Sequence, residues 1–369
     1  MNAQINPSRT PPNFEQAKNP RQKSRSAGLD PDWWYVVDYD HAVKKGQVKE
    51  VEFWGTSIAL YRGEDGQLSA VENRCPHRQL KLHHGAVDGC QLRCAYHGWS
   101  FNREGWLTDY SHDSFGKQLI KKQLRTFPVR VRYGFIWIFP GDPILAEAKQ
   151  LPVIPEMDGD KPWANMSLDF TWNTHHSMII DNICDFAHAF LHRKYRPFTD
   201  AKLTHYEGDD KRVYLTYDTF VAGGRISGIF VDRQRVNTRS MELCYEYPYQ
   251  WSNTGDKIKH WCFLLPVGPK KTRAFFLFYF DALKIPMTSV KMPRWLQEAV
   301  LNIAKPLLFK PLLAEDGVAL EAEQLGYDNY WDAPPIELNP VVPMFQQLTA
   351  RKWEDYLDRA ANPQPACAD

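Results

Sequence analysis

The sequence predicts an α+β protein, in which a small antiparallel β domain precedes a larger domain of helices packed on an antiparallel sheet. Short runs rich in β-branched and aromatic residues, such as WWYVV and VRVRYGFIWIF, fill the first third of the chain. Five prolines between residues 140 and 163 reach a density that breaks helices and strands alike. Beyond them, aromatic strand patterns lie between two helical patterns.

These observations divide the chain into four segments. Residues 1–28 are polar and rich in Pro, Asn, Gln and Ser, which is typical of a polar N-terminal arm or a disordered leader. The β domain follows at 29–142, where turn signals such as GEDG separate the strand patterns. A Pro-rich linker at 143–163 then leads to the larger domain at 164–369.

The larger domain begins with a helical pattern at about residues 175–194. Four strand patterns follow, with the sequences RVYLTYDTFV, RSMELCYEY, HWCFLLPV and TRAFFLFYFDAL. A second helical block runs from about Pro293 to Leu325, and we expect interruptions near Pro306 and Pro311 because proline removes a backbone donor. This order indicates a sheet with helices against it.

Composition and charge exclude several classes of protein. The net charge is +1, so the chain lacks the basic excess of a nucleic-acid-binding protein. We find neither an apolar stretch of about 18 residues nor the apolar core of a signal peptide, and therefore expect a cytoplasmic protein. The seven cysteines are an odd number and are scattered, which argues against a disulfide framework; clustered cysteines in a reducing compartment suggest a metal site.

A cysteine–histidine pattern occurs twice in the β domain, first as CPHR and then, after sixteen intervening residues, in CAYHGW. Two thiolates and two imidazoles suit tetrahedral zinc or a [2Fe–2S] cluster in which histidines replace two cysteines on one iron. Each loop supplies one Cys and one His in the same order, with Pro76 or Gly98 as a turn residue, and this favours the dinuclear cluster. The candidate ligands are Cys75, His77, Cys94 and His97.

A second group of polar side chains lies in DNICDFAHAFLH, within the first helical pattern. On one continuous helix these side chains would share an arc of roughly 120°, and His188 and His192 at i and i+4 could reach one ion. Their neighbours are apolar, so the polar stripe would be costly to bury unless a metal offsets that cost. The alternative is an exposed polar face with incidental histidines. The group comprises Asn182, Asp185, His188 and His192.

CPHR…CAYHGW resembles the cluster motif of the Rieske non-heme iron oxygenases, the ring-hydroxylating alpha-subunit family, where CPHR…CPYHGW is usual; Ala95 replaces the proline. Rieske proteins of respiratory chains have an additional cysteine in each loop, and Leu80 and Trp99 stand in those neighbourhoods here. The oxygenase type is therefore the better match. The resemblance implies a [2Fe–2S] cluster and a mononuclear Fe(II) that activates O2.

The resemblance also implies the ligands of the mononuclear iron. Besides His188 and His192, the family uses an Asp from a downstream helix that contains Glu-Asp, and Asp316 in EDGV matches that position. The set would form a facial triad with open positions for O2. Glu315, Glu321 and Glu323 are alternatives that we expect to face solvent.

Two catalytic candidates stand beside these ligands. In the family, an Asp at the position of Asp185 hydrogen-bonds one iron histidine and a cluster histidine of the neighbouring subunit, which implies a link from His188 to His97 or His77 within a homotrimer. Asn182 lies on the same predicted helix face. Many members have four residues between the two iron histidines, whereas this chain has three.

The chain contains no GxGxxG fingerprint, so the resemblance implies that NAD(P)H reduces a separate reductase or ferredoxin. The expected substrate is bulky, hydrophobic and polycyclic, steroid-like or a specialised metabolite, and is hydroxylated, demethylated or desaturated. The apolar segment Leu301–Leu313 fits a large ligand, an ordinary core or transient contact with a membrane surface. A Rieske electron-transfer protein without oxygenase chemistry and a zinc-stabilised binding protein are the rival interpretations.

We further consider which side chains could line the substrate pocket. Candidates next to the histidine pair and on the strand patterns are Met178, Asp181, Phe190, Phe220, Phe263 and Phe276. Each of them also suits an ordinary core position.

Overall fold

The computed structural model describes residues 10–110, 121–160, 162–192, 198–221, 239–281, 283, 290–334 and 336–362. The chain folds as two units. Asp30–Val153 form the first unit, while the chain before Asp30 joins the chain from Ile154 onward in the second. The α+β class predicted from the sequence is confirmed by the elements of these units. No helix within the described ranges is both long and apolar enough to cross a membrane.

Within the described residues, the first unit is built from three antiparallel sheets, with strand orders β1-β11-β10, β2-β3-β4-β9 and β5-β6-β7-β8. Short 3₁₀ turns lie at Asp40–Ala42, Leu82–His84 and Pro143–Ala146. The strands are β1 (Tyr35–Tyr39), β2 (Val48–Phe53), β3 (Thr56–Arg62), β4 (Leu68–Glu72), β5 (Ala86–Asp88), β6 (Gln91–Arg93), β7 (Ser100–Phe101), β8 (Leu107–Asp109), β9 (Thr126–Phe127), β10 (Val129–Arg132) and β11 (Phe135–Ile138).

The hydrophobic core of the first unit extends to the two cysteines of the CxH patterns. Tyr61, Leu92 and Phe101 are fully buried in one cluster that also contains Cys75 and Cys94. Because the core packs around both cysteines, the loops that carry them are held by buried apolar contacts.

The second unit contains a seven-stranded antiparallel sheet in the order β12-β18-β17-β16-β15-β14-β13. Its strands are β12 (Ala164–Trp172), β13 (Phe198–Gly208), β14 (Arg212–Val221), β15 (Arg239–Glu246), β16 (Tyr249–Thr254), β17 (Ile258–Gly268) and β18 (Lys271–Phe280). The described helices of this unit are α1 (Pro20–Ser26), α2 (Pro155–Asp158), α3 (His176–Cys184), α4 (Arg294–Ala304), α5 (Lys310–Tyr330) and α6 (Val342–Ala361).

The polar N-terminal arm contains helix α1, capped by the side chain of Asn19, which accepts a hydrogen bond from the Gln22 N–H. The Arg25 side chain is 2% exposed and forms ion pairs with Asp181 of α3 at 2.8 Å and Glu323 of α5 at 3.0 Å. Our alternative of a disordered leader is therefore wrong for the described part of the arm. The arm thus contributes the buried Arg25 to ion pairs with segments far away in the chain.

The first helical pattern is interrupted. Helix α3 ends at Cys184, Asp185 has extended backbone angles, and a 3₁₀ turn follows at Phe186–Phe190. The Asp185 carboxylate accepts a hydrogen bond from the Ala187 N–H, so it caps the new turn. The continuous helix expected at about 175–194 is wrong in this respect, and His188 and His192 do not lie on one regular helix face.

The second helical block also departs from a simple helix. A π-helical turn at Lys305–Phe309 joins α4 to α5, in the region where Pro306 and Pro311 predicted interruptions. A proline inside a helix cannot donate the usual backbone hydrogen bond, and a wider turn accommodates that loss. The chain therefore remains helical from α4 through to α5.

Candidate metal centres

The first candidate centre lies on two loops with the same backbone pattern. The Cys75 N–H donates to the carbonyl of Leu80 at 2.9 Å, and the Cys94 N–H donates to the carbonyl of Trp99 at 2.8 Å. Each hydrogen bond closes a loop between residues five apart. Two matching loops, each with one Cys and one His, suit a metal centre that takes one thiolate and one imidazole from each loop.

The fifth residue of each loop has a left-handed conformation, with φ of +64° at Gln79 and +69° at Gly98. Their N–H groups donate to the carbonyls of Cys75 and Cys94 at 2.9 and 3.1 Å. The sequence indicated Gly98 as a turn residue but gave no signal for Gln79, because glutamine rarely adopts positive φ.

The cysteines and histidines of these loops differ in exposure. Cys75 and Cys94 are buried, whereas His77 is exposed and His97 is half-buried. The two imidazole rings are 4.4 Å apart between centroids. Burial raises the pKa of the Cys75 thiol to about 11, although the N–H of His77 opposes this shift. Buried thiols in such a site favour a bound metal, which would stabilise the thiolate form.

Aromatic neighbours hold the two imidazoles in place. The ring of His77 stacks on Trp99 with an interplanar angle of 3° and a centroid distance of 4.8 Å. Tyr96 lies against His97 at 3.8 Å and is 57% exposed. The histidine side of the site therefore forms part of the surface of the first unit.

The second candidate centre brings together three residues from the sequence prediction. One ligand atom each from His188, His192 and Asp316 lies within 4.8 Å of the others. The Nε2 atoms of His188 and His192 are 3.6 and 3.4 Å from Asp316 Oδ1. Two imidazoles and one carboxylate that converge in this way match the donor set of a facial triad.

Buried polar atoms at this centre support a fit to a metal ion. Oδ1 of Asp316 is buried and has no hydrogen-bond partner among the described residues. Oδ1 of Asn182, near the end of α3, is also buried and without a hydrogen-bond partner within the part of the chain that the structure describes. A buried acceptor without a partner costs free energy, and a cation between the three donors would compensate Asp316.

The other nitrogen of each imidazole is held by a hydrogen-bond acceptor. His188 Nδ1 contacts the backbone carbonyl oxygen of Asp185, and His192 Nδ1 lies 3.0 Å from Glu315 Oε2. Because a carbonyl and a carboxylate only accept hydrogen bonds, both Nδ1 atoms must carry the proton. In the neutral imidazoles, each Nε2 lone pair is then directed to the metal position.

The electrostatic environment differs between the two histidines. Burial lowers the pKa of His188, and the Asp316 carboxylate opposes this shift. At His192, burial also acts to lower the pKa, but the carboxylates of Asp316 and Glu315 outweigh it and raise the pKa. Sequence reasoning missed Glu315, which we expected to face solvent, since adjacency to Asp316 does not show that its carboxylate reaches back to a histidine.

Asp185 occupies the break between α3 and the 3₁₀ turn. Its Oδ1 accepts hydrogen bonds from the Ala187 N–H and from Asn339 Nδ2, both at 2.9 Å. Asn339 also donates to the Tyr217 hydroxyl at 2.9 Å. Sequence reasoning did not find Asn339, which follows α5 and lies 154 residues from Asp185 along the chain. The predicted contact of Asp185 with a cluster histidine of another subunit remains a prediction.

A cavity of about 200 Å³ adjoins the second centre and includes His188, His192 and Asp316 in its wall. One wall is the face of the sheet formed by β15 to β18, and the other comes from α3, the 3₁₀ turn and the start of α5. The volume lies below the usual range for a whole drug-sized ligand, so it suits one end of a larger molecule. The apolar lining includes Ile183, Phe186, Phe276, Phe278, Phe309 and Leu312.

The structure separates the pocket candidates chosen from the sequence. Phe276 lines the cavity, as predicted. Asp181 instead pairs with Arg25 and accepts a hydrogen bond from Gln346, while Phe190 is 83% exposed. Met178 and Phe263 are buried, and the side chain of Phe220 lies outside the described part of the chain.

Two family models match separate parts of the chain. The model of the Rieske [2Fe-2S] domain matches residues 33–119. The model of the vanillate O-demethylase oxygenase C-terminal domain matches residues 172–360. The first match favours an iron–sulfur cluster over zinc for the CxH loops.

Known relatives extend this likeness. The chain is 43% identical over 351 residues to the 4beta-methylsterol monooxygenase of Methylococcus capsulatus, covering 94% of this chain and 95% of that protein. It is 33% identical over 166 residues to the oxygenase component of dicamba O-demethylase from Stenotrophomonas maltophilia, covering 43% of this chain and 47% of that protein.

Solved structures show the same fold. Dicamba monooxygenase bound to 3,6-dichlorosalicylic acid superposes with a TM-score of 0.71 at 19% identity, covering 91% of this chain and all of that one. NdmA of Pseudomonas putida CBB5 with caffeine gives a TM-score of 0.64 at 20% identity, covering 93% and 94%.

An iron–sulfur unit followed by an oxygenase unit defines a terminal oxygenase, a class of oxidoreductase. The chain belongs to the Rieske oxygenase family, as the 43% identity across nearly its whole length shows. The two relatives described above are oxygenases, which supports an oxidoreductase enzyme over a simple electron carrier.

Proposed function

We propose that the protein uses O2 and electrons from a separate NAD(P)H-linked reductase or ferredoxin to oxidise a bulky polycyclic, sterol-like substrate by hydroxylation, demethylation or desaturation. The observation that carries this proposal is the convergence of His188, His192 and Asp316 on the wall of a largely apolar cavity. The long match to a methylsterol monooxygenase supports the substrate class.

We propose that Cys75, His77, Cys94 and His97 hold a [2Fe–2S] cluster, and that His188, His192 and Asp316 hold Fe(II). When bound, these groups supply single electrons and the activation of O2. The backbone carbonyl of Asp185 and the carboxylate of Glu315 keep the protons of the iron histidines at Nδ1. The aromatic wall excludes water and positions an apolar substrate beside the triad.

We assign positioning roles to Asp185 and Asn182. Asp185 is fixed by Asn339 and sits directly before the histidine pair, which supports a role in linking this centre to a cluster histidine of a neighbouring subunit in a homotrimer. The exposed His77 would present the cluster to such a partner. Asn182 borders the cavity, and its Oδ1 has no hydrogen-bond partner among the residues that the structure describes, so it could bind a water or substrate group near the iron.

A lipid surface is the proposed source of the substrate. Trp295, Ile303 and Leu307, on α4 and the π-helical turn, are 69%, 63% and 68% exposed. The exposed cations Lys291 and Lys310 flank these apolar side chains, a combination that suits an anionic bilayer. The adjacent Phe309 and Leu312 line the cavity, so this helical region has both an outward apolar side and a substrate side.

The test is the iron and acid-labile sulfide content of anaerobically purified protein, followed by a single turnover with a methylsterol. We expect about three irons and two sulfides per chain, and an oxidised sterol in the reduced protein exposed to O2. Two irons in protein that resists reconstitution would favour the electron carrier, and zinc without sulfide would contradict both centres. Correct metal content without sterol oxidation would contradict only the substrate class.

A further inference from the structure

Three polar side chains of β16 and β17 form a chain of hydrogen bonds at the sheet wall of the cavity. Ser252 of β16 lies directly opposite His260 of β17 in the strand register, and Gln250 lies two residues before Ser252 on the same face. Ser252 and His260 both line the cavity. They lie beside Phe276 and Phe278 in the cavity wall, where Thr254 of β16 is a further polar side chain.

The orientation of the Gln250 amide determines which groups donate and which accept in these hydrogen bonds. The Nε2 group of Gln250, a buried residue, donates to the backbone carbonyl of Trp251 at 3.0 Å. The Oε1 atom of the same amide therefore faces His260 Nε2, at 3.1 Å. An amide oxygen only accepts hydrogen bonds, so His260 must carry its proton on Nε2.

His260 is neutral in this environment. Its ring borders the cavity and retains some accessible surface there, but the surrounding protein removes it from bulk water, and this burial lowers its pKa to about 4. With the proton on Nε2, the neutral ring has a lone pair on Nδ1. Ser252 Oγ lies 2.6 Å from that Nδ1, so the hydroxyl group of Ser252 donates to the ring.

This arrangement decides what Ser252 can offer to a ligand. Its single proton is engaged by His260, while its oxygen keeps acceptor capacity on the cavity side. None of the lining side chains within the described ranges is a lysine or an arginine, so a buried carboxylate or sulfonate would have no cationic partner there.

We propose that Ser252 accepts a hydrogen bond from a hydroxyl group of the substrate, and that the cavity thereby selects a neutral alcohol over the corresponding ketone. The inference rests on the proposed function, since it specifies the substrate class of the same cavity. Ser252 acts as a specificity-determining residue, and His260 and Gln250 act through it by fixing the direction of its hydroxyl group.

The test measures equilibrium binding to holoprotein whose iron and sulfide contents have been verified, by quenching of tryptophan fluorescence. The ligands are a methylsterol, the ketone formed by oxidising its hydroxyl group, and the hydrocarbon analogue that lacks this oxygen. We expect the alcohol to bind roughly tenfold more tightly than either analogue, the effect of one hydrogen bond in a buried site. In S252A the three ligands should bind equally, whereas S252T should keep the preference.

Two further variants separate the proposed cause from a general change in the cavity. S240A alters an exposed serine on the neighbouring strand β15 and should keep the preference for the alcohol. H260F removes the acceptor for the Ser252 proton, so that Ser252 can donate and the ketone should gain affinity relative to the alcohol. The aromatic replacement retains the packing of His260 against Phe278.

Each outcome bears on a different part of the inference. A ketone that binds the unaltered protein as tightly as the alcohol would overturn the proposed direction of the hydrogen bond. A preference that persists in S252A would overturn the role of Ser252. If none of the three ligands binds, the sterol-like substrate class itself is wrong, and the proposed function fails before the inference does.

Discussion

At the scale of single residues, the helix that carries Asp316 depends on a glycine beside that ligand. A Cβ atom added at Gly317 would lie 2.2 Å from Nε1 of the buried Trp172. Since an indole is rigid and Trp172 is packed on the sheet, the helix would have to move, and Asp316 would move with it.

We therefore expect G317A to destabilise the protein by about 1–3 kcal/mol through overpacking, and to lower its iron content relative to sulfide. G326A is the matched control, because it lies in the same helix and a Cβ there meets nothing within 4 Å. It should be neutral or stabilising by up to about 1 kcal/mol through helix propensity. Urea unfolding gives the free energies, and equal effects of the two substitutions would contradict the packing explanation.

Glu315 gives a second prediction for a single residue. Its carboxylate accepts the Nδ1 proton of His192, so its loss should leave that imidazole without a fixed tautomer. We expect E315A to weaken Fe(II) binding by about 10- to 100-fold while sulfide content stays unchanged. Iron retained during dialysis against a chelator provides the measurement.

The control is E354A, which removes an exposed glutamate from α6. If E315A retained iron as well as E354A does, the contact between Glu315 and His192 would have no role in holding the metal.

Sequence patterns predicted the candidate ligands as residue types, but not how their surroundings hold them. Cys75, Cys94, His188 and His192 stand out because thiols and imidazoles are rare in such spacings. Glu315, Gln79 and Asn339 act through contacts that depend on loop conformation and on chain segments far apart. Such contacts have no local sequence signature, since each residue type is common in ordinary surface positions.

At the scale of elements, the break in the first helical pattern is the main departure from the prediction. The apolar periodicity of residues 175–194 suits a continuous helix, and the sequence has neither Gly nor Pro at the break. Asp185 ends α3 because its carboxylate caps the following turn and also binds Asn339. The second of these contacts is tertiary, so single-sequence reasoning could not weigh it against helix propensity.

The outward side of α4 provides a prediction at the element scale. Replacing Trp295, Ile303 and Leu307 together by serine should reduce flotation with vesicles of phosphatidylglycerol and phosphatidylcholine by about tenfold or more. The reason is that most of the apolar area that would enter the lipid surface would be lost. The control changes Ile144 and Val153, which are also exposed, to serine. Unchanged flotation would contradict lipid docking, and a change of oligomeric state instead would identify this side as a subunit interface.

At the scale of the whole molecule, buried neutral histidines make folding stability depend on pH. Burial lowers the pKa of His176 to about 4 from an ordinary value of 6.5, and it lowers the pKa of His175 as well. Between pH 4 and 6.5 the unfolded chain therefore binds more protons than the folded one at these sites. Stability is fully present above pH 6.5 and is lost as the pH falls towards 4.

Each such histidine should contribute a slope of up to about 1.4 kcal/mol per pH unit within that window. The free energy of unfolding, measured in urea from pH 7 to pH 5, tests this. H176Q should give a shallower dependence, whereas H205Q, which changes an exposed histidine of β13, should leave the slope as it is. An unchanged slope in H176Q would show that His176 is not among the groups responsible.

The α+β organisation was largely predictable, because it follows from turn residues and from the periodicity of apolar residues in strands and helices. Aromatic strand patterns predicted strands of the sheet whose β17 and β18 line the cavity. The place of the N-terminal arm was not predictable, since a polar segment gives no hint that Arg25 will be buried against Asp181 and Glu323. Ion pairs of a buried arginine depend on contacts between distant chain segments, which composition does not show.

The double use of Asp185 has a consequence for how this enzyme can vary. Its main-chain carbonyl accepts a hydrogen bond from His188, and its carboxylate accepts hydrogen bonds from Ala187 and Asn339. Any amino acid supplies the carbonyl, whereas the cap of the turn that carries His188 requires a side-chain acceptor, so a change from Asp to Asn alters the charge at this position and keeps both contacts. Metal retention and the proposed link to a cluster histidine thus depend on different atoms of the same residue, and can change independently. D185N should keep its iron even where its turnover is lost.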